Sequence, residues 1–178
     1  CARRGAEVTV VQGAVSAPLY NPFGAIRCIE ALSAQAMYEA AMAVWPETDK
    51  AILCAAVADF APEQRAGEKI KKEPGQTELT LRLRTTPDIA RAMGESKKPH
   101  QRLVGFALET QHEKENALRK MERKNLDAIV LNSLRDEGAG FGTDTNRVTI
   151  LQADGKEAEL PLLSKADVAA RIIQQLFI

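Results

Sequence analysis

The alternation of apolar and polar positions along this chain predicts strands that are separated by helices. Short apolar or β-branched runs predict strands at residues 7–11, 25–30, 51–57, 102–107 and 128–131. Small and apolar residues at helical spacing predict helices at residues 34–44, 86–94, 113–124 and from 165 onward. Elements that alternate at this spacing are typical of βαβ units, so we expect an α/β fold with a mainly parallel sheet flanked by helices.

Residues 51–60 form the stretch around which a ligand site is expected. The apolar run at 51–57 predicts a buried strand, and a polar turn follows at Asp59. Small side chains at 54–56 leave room for a ligand to lie against the backbone where the strand ends. Open α/β sheets bind ligands at this carboxyl end. The alternative is a core strand that ends there without a binding role.

A lysine-rich segment follows this stretch. Lys69, Lys71 and Lys72 lie between Gly67 and Gly75, and the glycines predict a flexible flap. Ammonium groups act as point charges on phosphates, so a lysine flap next to an open strand end indicates a phosphate-binding site. A solvated basic loop is the alternative interpretation.

The segment after the flap predicts a further strand and then a helix start. Residues 78–84 alternate strictly between leucines and polar side chains, which is typical of a half-exposed strand at a sheet edge or against a partner. We expect this strand to pair across a two-fold interface. Thr86 resembles a helix cap with Pro87 in the first helical position. The free backbone N–H groups of such a helix start can bind a base or a sugar.

Polar residues follow the ends of several predicted strands. They are Asp59, Glu109, Asn132 and the turn at 86–88. In a parallel sheet these positions lie along one rim, and Lys120 and Lys124 at the end of the predicted helix 113–124 could border it. Lysines at a helix C-terminus also occur for electrostatic reasons alone, so a plain surface position is the alternative.

Composition and charge narrow the function classes. Lysine plus arginine and aspartate plus glutamate each number 24, so net charge gives no reason to expect a nucleic-acid or membrane partner. No apolar run approaches the ~18 residues of a membrane helix. Three scattered cysteines are typical of reduced thiols in the cytoplasm. The two histidines, both in polar surroundings, argue against a histidine-based triad or zinc site.

Six motifs in order carry a resemblance to a known family. They are Ala-Ala-Val-Ala-Asp-Phe at 55–60, Lys-Ile-Lys-Lys at 69–72, Pro-Asp-Ile at 87–89, Val-Gly-Phe-Ala-Leu-Glu-Thr at 104–110, Lys-Asn-Leu-Asp at 124–127, and Gly-Phe at 140–141 with Asp144 and Asn146. Together they resemble the bacterial phosphopantothenate–cysteine ligases, also called phosphopantothenoylcysteine synthetases. The resemblance covers nearly the whole chain.

This resemblance implies an enzyme of coenzyme A biosynthesis. Members have a Rossmann-like fold, form homodimers and use CTP with a divalent metal, usually Mg²⁺. The phosphopantothenate carboxylate attacks the α-phosphate of CTP to give an acyl-cytidylate and pyrophosphate. The cysteine amine then displaces CMP and forms the amide.

The resemblance also implies roles for individual residues. Implied CTP contacts are Leu53, Cys54, Ala55, Asp59, Lys69, Pro87, Asp88, Ile89, Ala90, Phe106, Lys120 and Lys124. Implied phosphopantothenate contacts are Ala55, Ala56 and Asp59. Lys69 is implied as the flap lysine that turnover requires, while no residue is assigned to the metal.

Two features separate this chain from complete family members. Residues 1–5 have the composition of a helix end, so we expect a single domain over 1–178 that lacks its opening strand, glycine-rich loop and helix start. Many bacterial ligases of this family carry a flavin-dependent decarboxylase domain ahead of the ligase domain. We expect such a domain to be the natural fusion partner of this chain. Two alternatives stay open: a non-catalytic nucleotide-binding or dimerisation fragment, and a nicotinamide- or flavin-binding oxidoreductase domain. The lack of a G-x-G-x-x-G fingerprint argues against the second.

Overall fold

The computed structural model of the protein describes residues 1–15, 21, 24–64, 66–109, 111–133 and 143–178. Its strands are β1 (Val8–Gln12), β2 (Ile26–Glu30), β3 (Lys50–Leu53), β4 (Phe60–Pro62), β5 (Leu83–Thr85), β6 (Arg102–Glu109), β7 (Ala128–Ser133), β8 (Thr145–Asn146), β9 (Val148–Gln152), β10 (Glu157–Glu159) and β11 (Leu163–Ser164). Its α-helices are α1 (Ala34–Val44), α2 (Ile89–Glu95), α3 (Glu113–Arg123) and α4 (Lys165–Phe177).

The main sheet has five strands in the order β10-β9-β7-β6-β3. Strands β3, β6 and β7 are parallel, and β9 and β10 extend the sheet as antiparallel strands. Strands β1 and β2 form a separate parallel pair. The expected α/β fold, with a mainly parallel sheet flanked by helices, is therefore confirmed.

Two apolar clusters cover the two faces of the main sheet. One face packs Leu103 and Ile129 against side chains of α1, α2 and α3. The other packs Val104 and Val130 against α4. Successive residues of a strand point to opposite faces, so the continuous apolar runs of β6 and β7 supply both clusters. This burial holds the carboxyl ends of β6 and β7 in fixed positions.

Ser33 and Ser164 are the N-caps of α1 and α4. Ser33 accepts a hydrogen bond from the Ala36 N–H at 3.1 Å, and Ser164 accepts one from the Asp167 N–H at 3.1 Å. Each hydroxyl satisfies a backbone donor that the first helical turn leaves without a partner.

The prediction of a buried strand over residues 51–57 is wrong in extent and in burial. Strand β3 ends at Leu53, and its apolar residues are only half-buried. Among the described residues β3 is hydrogen-bonded to β6 alone, so it forms an edge of the five-stranded sheet. Residues 54–56 are exposed, which leaves their backbone open at the carboxyl end of the strand.

The predicted start of α2 is displaced by two residues. Asp88, not Thr86, is the N-cap, because its Oδ1 accepts the Arg91 N–H at 3.1 Å. The Thr86 hydroxyl instead donates to the Ala58 carbonyl at 2.6 Å. Thr86 therefore joins two loops and does not cap the helix.

The strand predicted at 78–84 is also shorter than expected. Only β5 is a strand, paired antiparallel with β4 at the base of the lysine flap. Leu79, Leu81 and Leu83 are each 57% exposed. Among the described residues, β4 pairs with only Leu83 and Arg84 of this segment, so the alternating pattern alone does not produce a longer strand.

Candidate functional site

A continuous series of contacts joins the loop after β3 to the start of α2. The Thr86 N–H donates to the Asp59 carbonyl at 2.9 Å, beside the bond from the Thr86 hydroxyl to Ala58. Pro87 and Asp88 follow directly. The structure thus brings together two segments that were each expected at one rim.

An ion pair connects this turn to the end of α3. The Lys124 Nζ donates to the Asp88 Oδ1 at 2.9 Å, and the Lys124 side chain is only 14% exposed. Burial would raise the pKa of Asp88, but the hydrogen bonds from Lys124 and from the Arg91 N–H outweigh it and hold that pKa below its usual value. The pair therefore fixes the end of α3 against the start of α2.

Lys120 lies one helical turn earlier and faces the end of β6. Its Nζ donates to the Phe106 carbonyl at 3.0 Å. Burial, with a contribution from the nearby Lys124 ammonium, lowers the pKa of Lys120. A negatively charged group placed here would offset both effects. The end of α3 is therefore suited to a phosphate or a carboxylate.

Most of the other implied site residues lie around this rim. Leu53 ends β3, residues 54–56 and Asp59 are exposed in the loop that follows, and Phe106 is half-buried in β6. Ile89 is buried in the core, so any contact with a ligand would come from its backbone. Ala90 is half-buried in the first turn of α2.

An open cavity of about 430 Å³ adjoins the start of α2. It is lined by Tyr38, Pro87, Asp88, Arg91, Ala92 and Glu95. Tyr38 and Arg91 were not predicted as site residues, because neither stands at a strand end or in a motif. A second cavity, of about 230 Å³, is lined in part by Arg102 and Ala128, the first residues of β6 and β7. It therefore lies at the opposite end of the sheet.

The lysines of the flap make no hydrogen bond or ion pair with the described residues of the rim. Lys69, Lys71 and Lys72 are exposed, and no hydrogen bond or ion pair to another described residue involves them. The Glu63 N–H donates to the Arg82 carbonyl at 2.9 Å and closes the base of the flap next to β4 and β5. Such an arrangement leaves the ammonium groups available to a ligand.

The remaining rim residues have local partners. The Asn116 Nδ2 donates to the Glu109 Oε2 at 3.4 Å, and Asn132 accepts a hydrogen bond from Asn146. Thr110, Gly140 and Phe141, which belong to the sequence motifs, lie outside the described residues.

Within the described ranges, no three His, Cys, Asp or Glu side chains are grouped so that they could hold a metal ion. In the same ranges, no helix has the length and apolar character needed to span a membrane.

Comparison with known proteins places these observations in a family. The family model for the DNA/pantothenate metabolism flavoprotein C-terminal domain matches residues 1–177. The bifunctional coenzyme A biosynthesis protein CoaBC of Bacillus subtilis is 46% identical over 172 residues, covering 97% of this chain and 41% of that protein. A cysteine/cysteine sulfinic acid decarboxylase from an unknown prokaryote is 49% identical over 98% of this chain and 48% of its own length. The chain thus spans about half the length of these curated relatives.

Two solved structures share the fold. The crystal structure of the C-terminal domain of a CoaBC protein has a TM-score of 0.77 and 38% identity, over 98% of this chain and 77% of that chain. A Cab2 variant in complex with phosphopantothenate-cysteine has a TM-score of 0.56 and 18% identity, over 85% of this chain and 54% of its own. At that identity the second match shows the fold alone.

Proposed function

This chain belongs to the DNA/pantothenate metabolism flavoprotein C-terminal domain family, and from that we propose that it is the phosphopantothenate–cysteine ligase domain of a coenzyme A biosynthesis protein. The observation that carries the proposal is the match of 97% of the chain to CoaBC of Bacillus subtilis. The contacts from Asp59 to Thr86 and from Asp88 to Lys124, with Lys120 one helical turn before Lys124, support a nucleotide site in this domain.

The relative named as a decarboxylase does not favour a different activity for this chain. The match covers 48% of that protein, and the CoaBC relatives are themselves called bifunctional. A carboxy-lyase activity can therefore belong to the part of the relative that this chain does not match. We propose that a flavin-dependent decarboxylase domain is the natural fusion partner.

In the proposed reaction, CTP activates the carboxylate of phosphopantothenate. A carboxylate oxygen bonds to the α-phosphorus, and the bond to the pyrophosphate leaving group breaks. The cysteine amine then attacks the acyl carbon, CMP leaves with the bridging oxygen, and the amine loses a proton. Lys69 on the flap would stabilise the negative charge of the departing pyrophosphate, and Lys120 would contact a phosphate at the rim.

The phosphopantothenate arm would lie against the exposed backbone at the end of β3. Ala55 and Ala56 have small side chains there, and Asp59 is exposed beside them. Small side chains allow an extended substrate to approach backbone N–H and C=O groups.

A divalent metal such as Mg²⁺ fits this site only when it binds together with the nucleotide. Mg²⁺ is commonly bound through one or two carboxylates together with substrate phosphates. The exposed carboxylate of Asp59 could serve as such a ligand. When bound, the metal would offset negative charge on the phosphates.

A ligation assay on the full-length protein tests the proposal. With phosphopantothenate, cysteine and CTP, we expect phosphopantothenoylcysteine, CMP and pyrophosphate in equal amounts. Omission of cysteine should stop amide formation but not a first turnover of pyrophosphate release. Binding of CTP without any amide product would favour a non-catalytic nucleotide-binding module, and binding of NADPH or flavin in place of CTP would favour an oxidoreductase domain.

We also propose that the protein forms a homodimer through the leucine face after the flap. Leu79, Leu81 and Leu83, with Ile70 and Phe60, are large apolar side chains that are each more than half exposed. Large apolar side chains that are exposed this close together along the chain are typical of an interaction surface in soluble proteins. A two-fold contact would cover the leucines and bring each flap close to a shared site.

Replacement of Leu81 by lysine is expected to convert a dimer into a monomer, because burying an unpaired ammonium in the interface is costly. Sedimentation at micromolar concentration measures the mass, and circular dichroism measures the fold. Leu162→Lys, at an exposed leucine outside this face, is the matched control and should remain dimeric. A monomeric wild-type protein, or a dimeric Leu81→Lys variant, would contradict the proposal.

A further inference from the structure

Helix α3 ends in a left-handed turn at Asn125, whose φ is 50°. The Leu126 N–H donates to the Met121 carbonyl at 3.0 Å, and the Asn125 N–H donates to the Glu122 carbonyl at 3.1 Å. These two bonds form a Schellman motif, in which the left-handed residue is usually glycine and sometimes asparagine. Glycine adopts this backbone without strain, so an asparagine here indicates that its side chain has a role.

The side chain of Asn125 is bonded to the neighbouring helix. Its Nδ2 donates to the Gly94 carbonyl at 2.8 Å, near the end of α2. A carbonyl oxygen can only accept, so the amide must present its nitrogen, and its orientation is determined. In return, the Lys97 Nζ donates to the Asn125 carbonyl at 2.8 Å, from a side chain that is only 12% exposed. The turn after α3 and the end of α2 are therefore bonded to each other in both directions.

A second contact joins the same two helices at the other end of α2. The Lys124 Nζ lies 2.9 Å from the Oδ1 of Asp88, which is the N-cap of α2. Helix α2 has seven residues, so its two ends lie about 10 Å apart. The end of α3 thus holds both ends of α2, the first through Lys124 and the last through Asn125.

A bound nucleotide would affect these two contacts differently. The pair of Lys124 and Asp88 lies at the rim, where a phosphate would compete with the carboxylate for the ammonium group. The bond from Asn125 to Gly94 lies at the far end of α2 and involves no charged group, so a phosphate at the rim leaves it intact. This bond can therefore keep α2 against the end of α3 while Lys124 changes its partner.

We propose that Asn125 is a positioning residue for nucleotide binding, which holds the end of α3 on α2 so that the Lys124 ammonium stays at the rim when it exchanges Asp88 for a phosphate. This inference rests on the proposed function. Lys120 needs no such support, because it lies within α3 and its Nζ is bonded to the Phe106 carbonyl of β6. The effect of Asn125 should therefore reach the nucleotide through Lys124 and not through Lys120.

Substitution of Asn125 tests the assignment. Asn125→Gly removes the amide and keeps a residue that favours the left-handed turn, so we expect the full-length protein to bind CTP about tenfold more weakly in calorimetry, the usual effect of one lost neutral hydrogen bond. Asn125→Asp, whose carboxylate can only accept and therefore opposes the Gly94 carbonyl, should bind CTP at least as weakly. Ser96→Ala is the matched control, because the Ser96 hydroxyl donates only to carbonyls within α2, and it should bind CTP like the wild type.

Double-mutant cycles distinguish positioning from a merely structural role. If Asn125 acts through Lys124, Asn125→Gly should change CTP affinity by less than about twofold in a Lys124→Gln background. In a Lys120→Gln background the same substitution should keep its effect of about tenfold. A structural role instead predicts a lower urea midpoint with unchanged CTP affinity, or an equal loss of affinity in both lysine backgrounds.

The possible outcomes also separate this inference from the proposed function. If the wild type binds CTP and both Asn125 variants bind it as tightly, the positioning role is wrong although the ligase proposal stands. An equal loss in the two lysine backgrounds would likewise overturn the inference. If the Gly variant does not fold, the Asp variant takes its place in both cycles. Failure of the wild type to bind CTP would overturn the proposed function together with this inference.

Discussion

Replacement of Lys69 by glutamine is expected to lower the rate of ligation by about 10²–10³-fold, the usual cost of losing one electrostatic contact in a closed site. Lys69 is exposed and makes no hydrogen bond or ion pair with another described residue. Its removal should therefore leave the fold and the free energy of unfolding unchanged. The ammonium matters only when negative charge develops on a departing phosphate group. Single-turnover measurements of acyl-cytidylate formation and of cysteine transfer would locate the affected step.

Lys72→Gln is the matched control, because this lysine has the same charge and exposure in the same flap. We expect a much smaller loss of rate, since family resemblance singles out Lys69. If both variants retain wild-type rates in both steps, the flap is an ordinary solvated loop. If both lose activity equally, the flap acts through its total charge and Lys69 has no special role.

Replacement of Gly94 by alanine is expected to destabilise the protein by about 1–3 kcal/mol and to weaken nucleotide binding. A Cβ atom at Gly94 would lie 1.9 Å from the Lys124 carbonyl oxygen. The Asn125 Nδ2 also donates to the Gly94 carbonyl at 2.8 Å, so α2 and the end of α3 meet closely here. Separating them would move Lys124 away from Asp88 and disturb the rim.

Urea unfolding and CTP calorimetry would measure the two effects. Gly67→Ala is the control, since a Cβ there meets no atom within 4 Å. Its free energy of unfolding should stay within about 0.5 kcal/mol of the wild type. An unfolding midpoint of Gly94→Ala equal to that of the wild type would show that the contact between α2 and the end of α3 is not tight.

The elements that could be predicted from sequence are those with local causes. Ser33 and Ser164 cap helices through bonds to residues three positions away, so their role is visible in the sequence. The apolar runs of β6 and β7 are buried on both faces, and their burial agrees with their composition. Neither case depends on a distant part of the chain.

The errors have non-local causes. Strand β3 ends at Leu53, because its pairing with β6 stops at Gly105. The apolar composition of residues 54–58 does not indicate that the strand ends there. Thr86 does not cap α2, because its hydroxyl bonds to Ala58, which is 28 positions away. The leucine alternation at 78–84 predicts a strand only where a partner is present, and in the described part of this chain β4 pairs with only Leu83 and Arg84 of this segment.

The candidate site also combines features with local causes, which the sequence indicates, and features with non-local causes, which it does not. Asp59, Asp88, Lys120 and Lys124 could be proposed from strand ends and motifs. The Thr86–Asp59 hydrogen bond and the Asp88–Lys124 ion pair join segments that are distant in the sequence, so spacing alone does not indicate them. Tyr38 and Arg91 line the cavity beside α2 without any sequence signal. The hydrogen bond between the side chains of Asn132 and Asn146 joins β7 to β8, so composition and spacing could not reveal it.

Activation of the phosphopantothenate carboxylate by the α-phosphate of CTP is tested most directly by following one oxygen atom. The full-length protein would be supplied with phosphopantothenate labelled with ¹⁸O in its carboxylate, together with CTP and cysteine, and the products analysed by mass spectrometry. We expect one ¹⁸O atom in each CMP, because the attacking carboxylate oxygen stays on phosphorus when the amine displaces CMP. Unlabelled CMP, with the displaced ¹⁸O found in orthophosphate, pyrophosphate or water, would contradict this mechanism.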